Sequence, residues 1–247
     1  MNTELMAPPF VTLGSDAAPM LIVGDHAGRI LPPDVDFGID PALLLDHVGG
    51  DIGVAEVAAL MVGQGGGRFA AHLGRWSRLL VDLNRHEGDP GCVPIASDGH
   101  AIPGNALDHA AREDRLARWF RPYHAALAER LAAHRPRLIL SLHSFTPRLA
   151  SRAEDRPWQI AVLHGATAGP SRAAIAWLRR ETDWCVGDQQ PYSGLILNAT
   201  MDRHAEANAI PYIGIEMRQD MVADAAGQAR YAEALAGLCT EIADRLS

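Results

Sequence analysis

Two histidines, His26 and His143, stand directly after short apolar runs, MLIVG at 20–24 and LILSL at 138–142. Two imidazoles and one carboxylate, with a fourth position open for water, form a common catalytic zinc set. Each histidine alone is equally readable as a hydrogen-bonded structural residue, and no HExxH spacing links them. Two acids compete for the carboxylate role. Asp51, in Gly49-Gly50-Asp51-Ile52-Gly53, reads either as a ligand or as the N-cap of the helix that follows; Asp25 is the second choice. Glu216 ends the apolar run YIGIEM. An ionised Glu there needs a partner, such as Arg218, or a task; beside a metal-bound water the task would be taking its proton. Asn84 and Arg85 suit a carboxylate ligand, because the guanidinium fork grips both oxygens and the amide adds a donor. The alternative for Arg85 is a salt bridge to Asp82.

Strands are expected over residues 20–24, 69–73, 79–83, 138–142, 159–163, 184–186 and 212–217, where short apolar runs are bounded by polar or turn residues. Helical periodicity covers 52–62, 107–134 with a break or kink at Pro122, 171–180 behind Pro170, and 225–246. Such alternation implies a single α/β domain over 1–247, a mixed and mostly parallel sheet with helices on both faces. Polar clusters then end four strands: Asp25-His26, Asp82 to Arg85, His143-Ser144 and Glu216 to Arg218. Open α/β sheets bind ligands beyond the carboxyl ends of their strands, so the four clusters are expected to form one site. Of the other histidines, His134, His164 and His204 read as surface or loop residues, and His124 as a helix residue able to support the site.

Composition narrows the chemistry. The chain has 247 residues, a net charge of −8 and no lysine; all 22 basic residues are arginine. A Walker A loop, a pyridoxal Schiff base and a Ser–Lys dyad each require lysine, so all three are excluded. The negative charge argues against a nucleic-acid partner. Cys92, Cys185 and Cys239 are too scattered for a disulfide framework or a CxxC zinc site, and Cys185 reads as packing. Ser193 lacks the first glycine of a GxSxG elbow. The glycine cluster at 63–67 follows a helix rather than a strand, so it reads as a helix-to-strand turn and not a dinucleotide loop. Residues 1–18 carry two acids and no basic cluster, unlike a signal peptide, and no apolar run reaches the roughly 18 residues of a membrane span. A cytoplasmic protein acting on a small molecule is expected.

Six stretches between about 21 and 222 give the chain a family likeness: Asp25-His26-Ala27-Gly28; Ser77-Arg78-Leu79 leading into Asp82-Leu83-Asn84-Arg85; Arg121-Pro122-Tyr123-His124; Leu142-His143-Ser144-Phe145; Pro191-Tyr192-Ser193-Gly194; and Ile215-Glu216-Met217-Arg218. In order and spacing the chain resembles the N-formylglutamate amidohydrolases, whose fold is similar to that of zinc carboxypeptidases and aspartoacylase-type deacylases. The resemblance implies one zinc ion on His26 and His143, and Glu216 as the base that activates water. It implies Arg78 as polariser of the scissile carbonyl, and Asn84, Arg85, Tyr192 and Arg218 as the substrate-binding set. The implied substrate is an N-acyl, chiefly N-formyl, acidic amino acid. Related deacylases carry a Glu three residues after the first His, where this chain has Arg29, so the third ligand must come from elsewhere. Asp51 is then the candidate. Asp25 also replaces a proline common in the family.

Overall fold

The computed structural model describes residues 7–152 and 154–246; the first six residues of the stretch 1–18, expected to hold no signal peptide, lie outside the described residues. In chain order the elements are β1 (Phe10–Leu13), β2 (Met20–Gly24), α1 (Val54–Gln64), β3 (Phe69–Gly74), a small hairpin of β4 (Ala96–Ser97) and β5 (His100–Ala101), α2 (His109–Arg115) and α3 (Arg121–Ala133). There follow β6 (Leu138–Phe145), β7 (Ile160–Leu163), α4 (Gly169–Glu181), β8 (Val186–Asp188), α5 (Ala199–His204), β9 (Tyr212–Arg218) and α6 (Ala225–Arg245).

The apolar runs form the middle of a seven-stranded sheet in the order β1-β3-β2-β6-β9-β7-β8. Strands β3, β2, β6 and β9 are mutually parallel, while β1 and β7 pair antiparallel with β3 and β9. The central strands are apolar on both faces because both faces are covered. Leu138, Leu140, Leu142, Ile213 and Ile215 pack in the core that contains α1, α4 and α6 residues. The alternate residues Leu21, Val23, Ile139 and Tyr212 pack against Leu127 and Leu131 of α3 and Met201 of α5. This alternation puts His143 and Glu216, partners in the β6–β9 register, on the α3/α5 side. The α/β class, the mostly parallel sheet and the helices on both faces are as expected.

Four local expectations fail. Residues 79–83 are buried but form no strand. Ser77 Oγ accepts from Leu79 N, and Leu80 N bonds the Ser77 carbonyl, so the run turns instead of pairing. Its burial comes from a second apolar cluster with Phe37, Trp119 and Phe120. The strand expected over 184–186 lies at Val186–Asp188, which leaves Cys185 exposed rather than packed. His204 is buried, not superficial. The segment 107–134, by contrast, is interrupted beside Pro122 as expected: one π-type turn, Leu116–Phe120, separates α2 from α3. The proline has no N–H to give to the turn before it, and the ladder there widens, with Arg121 N–H reaching the Leu116 carbonyl. The glycine cluster does form the α1–β3 turn, with Gly66 and Gly67 at φ +58° and +81°.

Three buried imidazoles lie on the α3/α5 side of the sheet. His72 stacks on Phe10 and packs on Tyr123, and neither ring nitrogen has a hydrogen-bond partner among the described residues. His124 Nε2 lies 3.0 Å from the Leu83 carbonyl, which can only accept, so Nδ1 must accept from His204 Nε2 at 3.0 Å. Burial drives all three towards the neutral form, to about 4, about 3 and about 4 respectively. In the unfolded chain each titrates near 6.5. Below that value the unfolded state binds protons that the folded state refuses, so stability is full above about pH 6.5 and falls towards pH 4. These three groups by themselves contribute a slope approaching roughly 4 kcal/mol per pH unit, from three protons. Denaturant unfolding between pH 7 and 4.5 checks this; a flat profile down to pH 5 rules out three neutral buried histidines.

Candidate metal and substrate site

His26 follows β2 with Asp25 between, and His143 sits inside β6, which runs three residues past the expected end. Neighbouring parallel strands therefore bring the two rings to 5.1 Å between centroids at a 63° tilt. Asp51 is tied in by its backbone, whose N–H donates to the His26 carbonyl at 2.8 Å. That approach requires glycine at position 50, where a Cβ would lie 2.6 Å from the Gly28 carbonyl oxygen. The N-cap of α1 is Gly53, not Asp51. The Asp51 carboxylate instead accepts from His143 Nδ1 at 2.9 Å and Ser144 N at 3.2 Å, and its Oδ2 lies 3.7 Å from His26 Nδ1.

One donor atom each from His26, Asp51 and His143 lie within 4.8 Å of one another, and all three residues are buried. Two imidazole nitrogens and one carboxylate oxygen are the donor set of a catalytic zinc site, and the buried Oε2 of Glu216 beside them has no partner among the described residues. These residues fit a divalent metal. Asp25, the second choice, is placed differently. It faces the other edge of His143, with Oδ2 3.6 Å from Nε2.

The charges reinforce one another. Burial opposes ionisation of Asp51, but the hydrogen bond from His143 and the nearby His26 imidazole hold its carboxyl far below the usual range. Burial would also lower His143, yet the carboxylates of Asp25 and Asp51, one beside each ring nitrogen, raise it well above the ordinary imidazole value. Glu216 goes the other way. Burial pushes its carboxyl up to about 7, against the pull of His143.

The same cavity, of about 150 Å3, is lined by Arg78, Asn84, Arg85 and Tyr192 as well as by the metal-site residues. Arg78 is held by Asp82 at 3.0 Å and Asp51 at 3.4 Å. Residues 82–85 reach the cavity from a turn, not from a strand end: Asp82 Oδ1 accepts from Asn84 N. Thr200 N donates to Asn84 Oδ1, which leaves the amide nitrogen to donate elsewhere. Arg85 Nε stands 3.7 Å from Asp82, beyond hydrogen-bond reach. The Tyr192 hydroxyl accepts from Arg156 at 3.1 Å. Arg218 is not brought to this cavity. Its guanidinium binds Asp220 and reaches the Arg156 and Pro157 carbonyls, because residue 218 is the last of β9, two positions farther along the strand than Glu216 and next to the turn that carries Asp220. Glu216 correspondingly has no ion pair with Arg218. Arg29 also points elsewhere, donating to the Leu45 carbonyl.

Two titratable residues that line the cavity, Asp82 and His47, lay outside the candidate set. Asp82, read only as a possible partner of Arg85, accepts from His26 Nε2 at 2.7 Å. The sole sequence signal for this was its place in the cluster ending at Arg85. His47, between Asp46 and Asp98, carried no signal.

No curated protein matches the chain. Among solved structures it is similar to a gene product of Agrobacterium tumefaciens, Atu2144, at 26% identity and TM-score 0.89, covering 99% of this chain and 98% of that one. It is also similar to an N-formylglutamate amidohydrolase from Ralstonia eutropha JMP134, at 21% identity and TM-score 0.72, covering 97% and 98%; that likeness shows the fold. No helix among the described residues is long and apolar enough to cross a membrane. The N-formylglutamate amidohydrolase family model matches residues 18–223, so the chain belongs to that family of amide hydrolases.

Proposed function

We propose that the protein is a zinc-dependent amidohydrolase that removes a small acyl group, formyl foremost, from an acidic amino acid, yielding formate and glutamate or a close relative. The observation that carries the metal is the buried convergence of His26, Asp51 and His143, with Glu216 next to His143 in register. Asp51 takes the part that a Glu at position 29 plays in related deacylases. When bound, zinc would supply a Lewis acid and a water of lowered pKa. Glu216 takes the proton of the attacking water and returns it to the leaving amine, a task suited to a carboxyl held near neutrality. Arg78, fixed by two acids, faces the cavity with donors to spare for the developing oxyanion. Arg85 and the Asn84 amide grip a substrate carboxylate, and Tyr192 covers the bound molecule. Arg218, engaged with Asp220, has no part in this reading.

The experiment is a screen of N-formyl and N-acetyl derivatives of Glu, Asp, Gln and Leu, with free amine release as readout, on chelator-stripped protein with and without zinc. N-formylglutamate should be hydrolysed best, and activity should vanish on stripping and return with zinc. Amine release indifferent to chelation would overturn the metal reading. Equal rates on Glu and Leu derivatives would overturn the acidic substrate.

A further inference from the structure

Both candidate ligand histidines have a second buried acid on the ring edge that faces away from Asp51. His26 turns Nδ1 towards Asp51 and Nε2 towards Asp82 Oδ1 at 2.7 Å. His143 turns Nδ1 towards Asp51 and Nε2 towards Asp25 Oδ2 at 3.6 Å, an ion-pair distance rather than a hydrogen bond, and neither of these two buried atoms has a hydrogen-bond partner among the described residues, so each has the other as its nearest complement. The two ring nitrogens of an imidazole point in divergent directions. Asp25 and Asp82 therefore cannot reach the point on which both Nδ1 atoms and Asp51 converge. Each acid is itself braced. Tyr123 Oη donates to Asp25 Oδ1 at 2.8 Å, and Asp82 Oδ2 accepts from Arg78 at 3.0 Å. Asp25 and Asp82 are 1% and 4% exposed, so neither is a solvated surface charge. A buried carboxylate without such partners would be costly.

We propose that Asp82 and Asp25 are positioning residues that hold the Nε2 protons of His26 and His143, so that both Nδ1 atoms face the metal. This rests on the zinc reading above. An acid behind a ligating imidazole fixes its tautomer and orientation and raises its basicity. The two acids differ in what else they hold. Among the described residues, Asp25 accepts a hydrogen bond from the buried Tyr123 alone. Asp82 also holds Arg78, accepts from Asn84 N, and lies 3.7 Å from Arg85. Asp82 therefore ties the metal side of the cavity to the substrate side, and Asp25 serves the metal side alone.

The test measures zinc dissociation constants by chelator competition, with KM at saturating zinc, for wild type, Asp82→Ala, Asp25→Ala and Tyr123→Phe. Either Ala variant should weaken zinc by about 10–100-fold. Asp82→Ala should also raise KM, and Asp25→Ala should leave it near the wild-type value. Tyr123→Phe deletes one hydroxyl and keeps the ring packed, so it guards against misfolding; it should weaken zinc in the same direction by less. In zinc-loaded wild type, nitrogen-15 spectra of the imidazoles should show Nε2 protonated on both histidines. Variants that bind zinc like wild type but melt earlier without metal would mean a purely structural role and overturn the proposal. Nε2-metallated histidines would overturn it as well. A wild type that binds no zinc overturns both this proposal and the metal reading, whereas normal binding by all three variants overturns this proposal alone.

Discussion

Glu216→Gln is expected to cost roughly 10²–10⁴-fold in kcat, the usual contribution of a positioned general base. The substitution keeps shape and one hydrogen-bonding oxygen, and removes the proton acceptor. Glu216 is not among the three converging donor residues, so zinc content should stay at the wild-type level. KM should change little, since the lost interaction belongs to the transition state. The environment supports this separation. The side chain is buried, and among the described residues its Oε2 has no partner and no arginine pairs with it in a structural bridge. A variant that keeps kcat within tenfold would make Glu216 a bystander. A variant that loses zinc together with activity would make it a ligand.

The sequence carried the frame of this site more clearly than its contacts. MLIVG and LILSL are legible because a central parallel strand is apolar on both faces, so His26 and His143 could be placed at strand ends from pattern alone. The edge strand Phe10–Leu13 is half-buried with no apolar run, and it left no comparable mark. Residues 79–83 misled because burial alone produces an apolar run, whether or not the backbone pairs. Asp51 stayed ambiguous between cap and ligand for a different reason. Its contact with His143 spans 92 residues of chain and depends on a glycine-lined approach to β2. Nothing local encodes that. Arg218 shows the converse. Lying two residues from Glu216 suggested a shared site, yet the chain leaves the sheet just after it and Asp220 in that turn captures the guanidinium.

Arg85 tests the acidic substrate, and it should fail in a different way from Glu216. Asp82 competes for it only weakly, because Arg78 occupies Asp82 Oδ2 at 3.0 Å and Arg85 Nε stays at 3.7 Å. The Arg85 side chain is about one-third exposed and lines the cavity, so its fork is available to an incoming carboxylate. That contact exists before and during the reaction, so Arg85→Ala should raise KM strongly. A bidentate charged contact is worth about 1.5–3 kcal/mol, which corresponds to roughly 10–150-fold. Some kcat should also be lost, because a loosely held amide sits badly against the attacking water. Arg85→Lys should recover only part of the loss, since an ammonium cannot reproduce the planar fork. The deciding comparison uses an N-acyl amide without free carboxylates. Wild type should discriminate strongly against it, and Arg85→Ala should discriminate much less. If the variant keeps the wild-type preference, Arg85 serves the fold beside Asp82, and recognition of the acidic group must be sought elsewhere in the cavity.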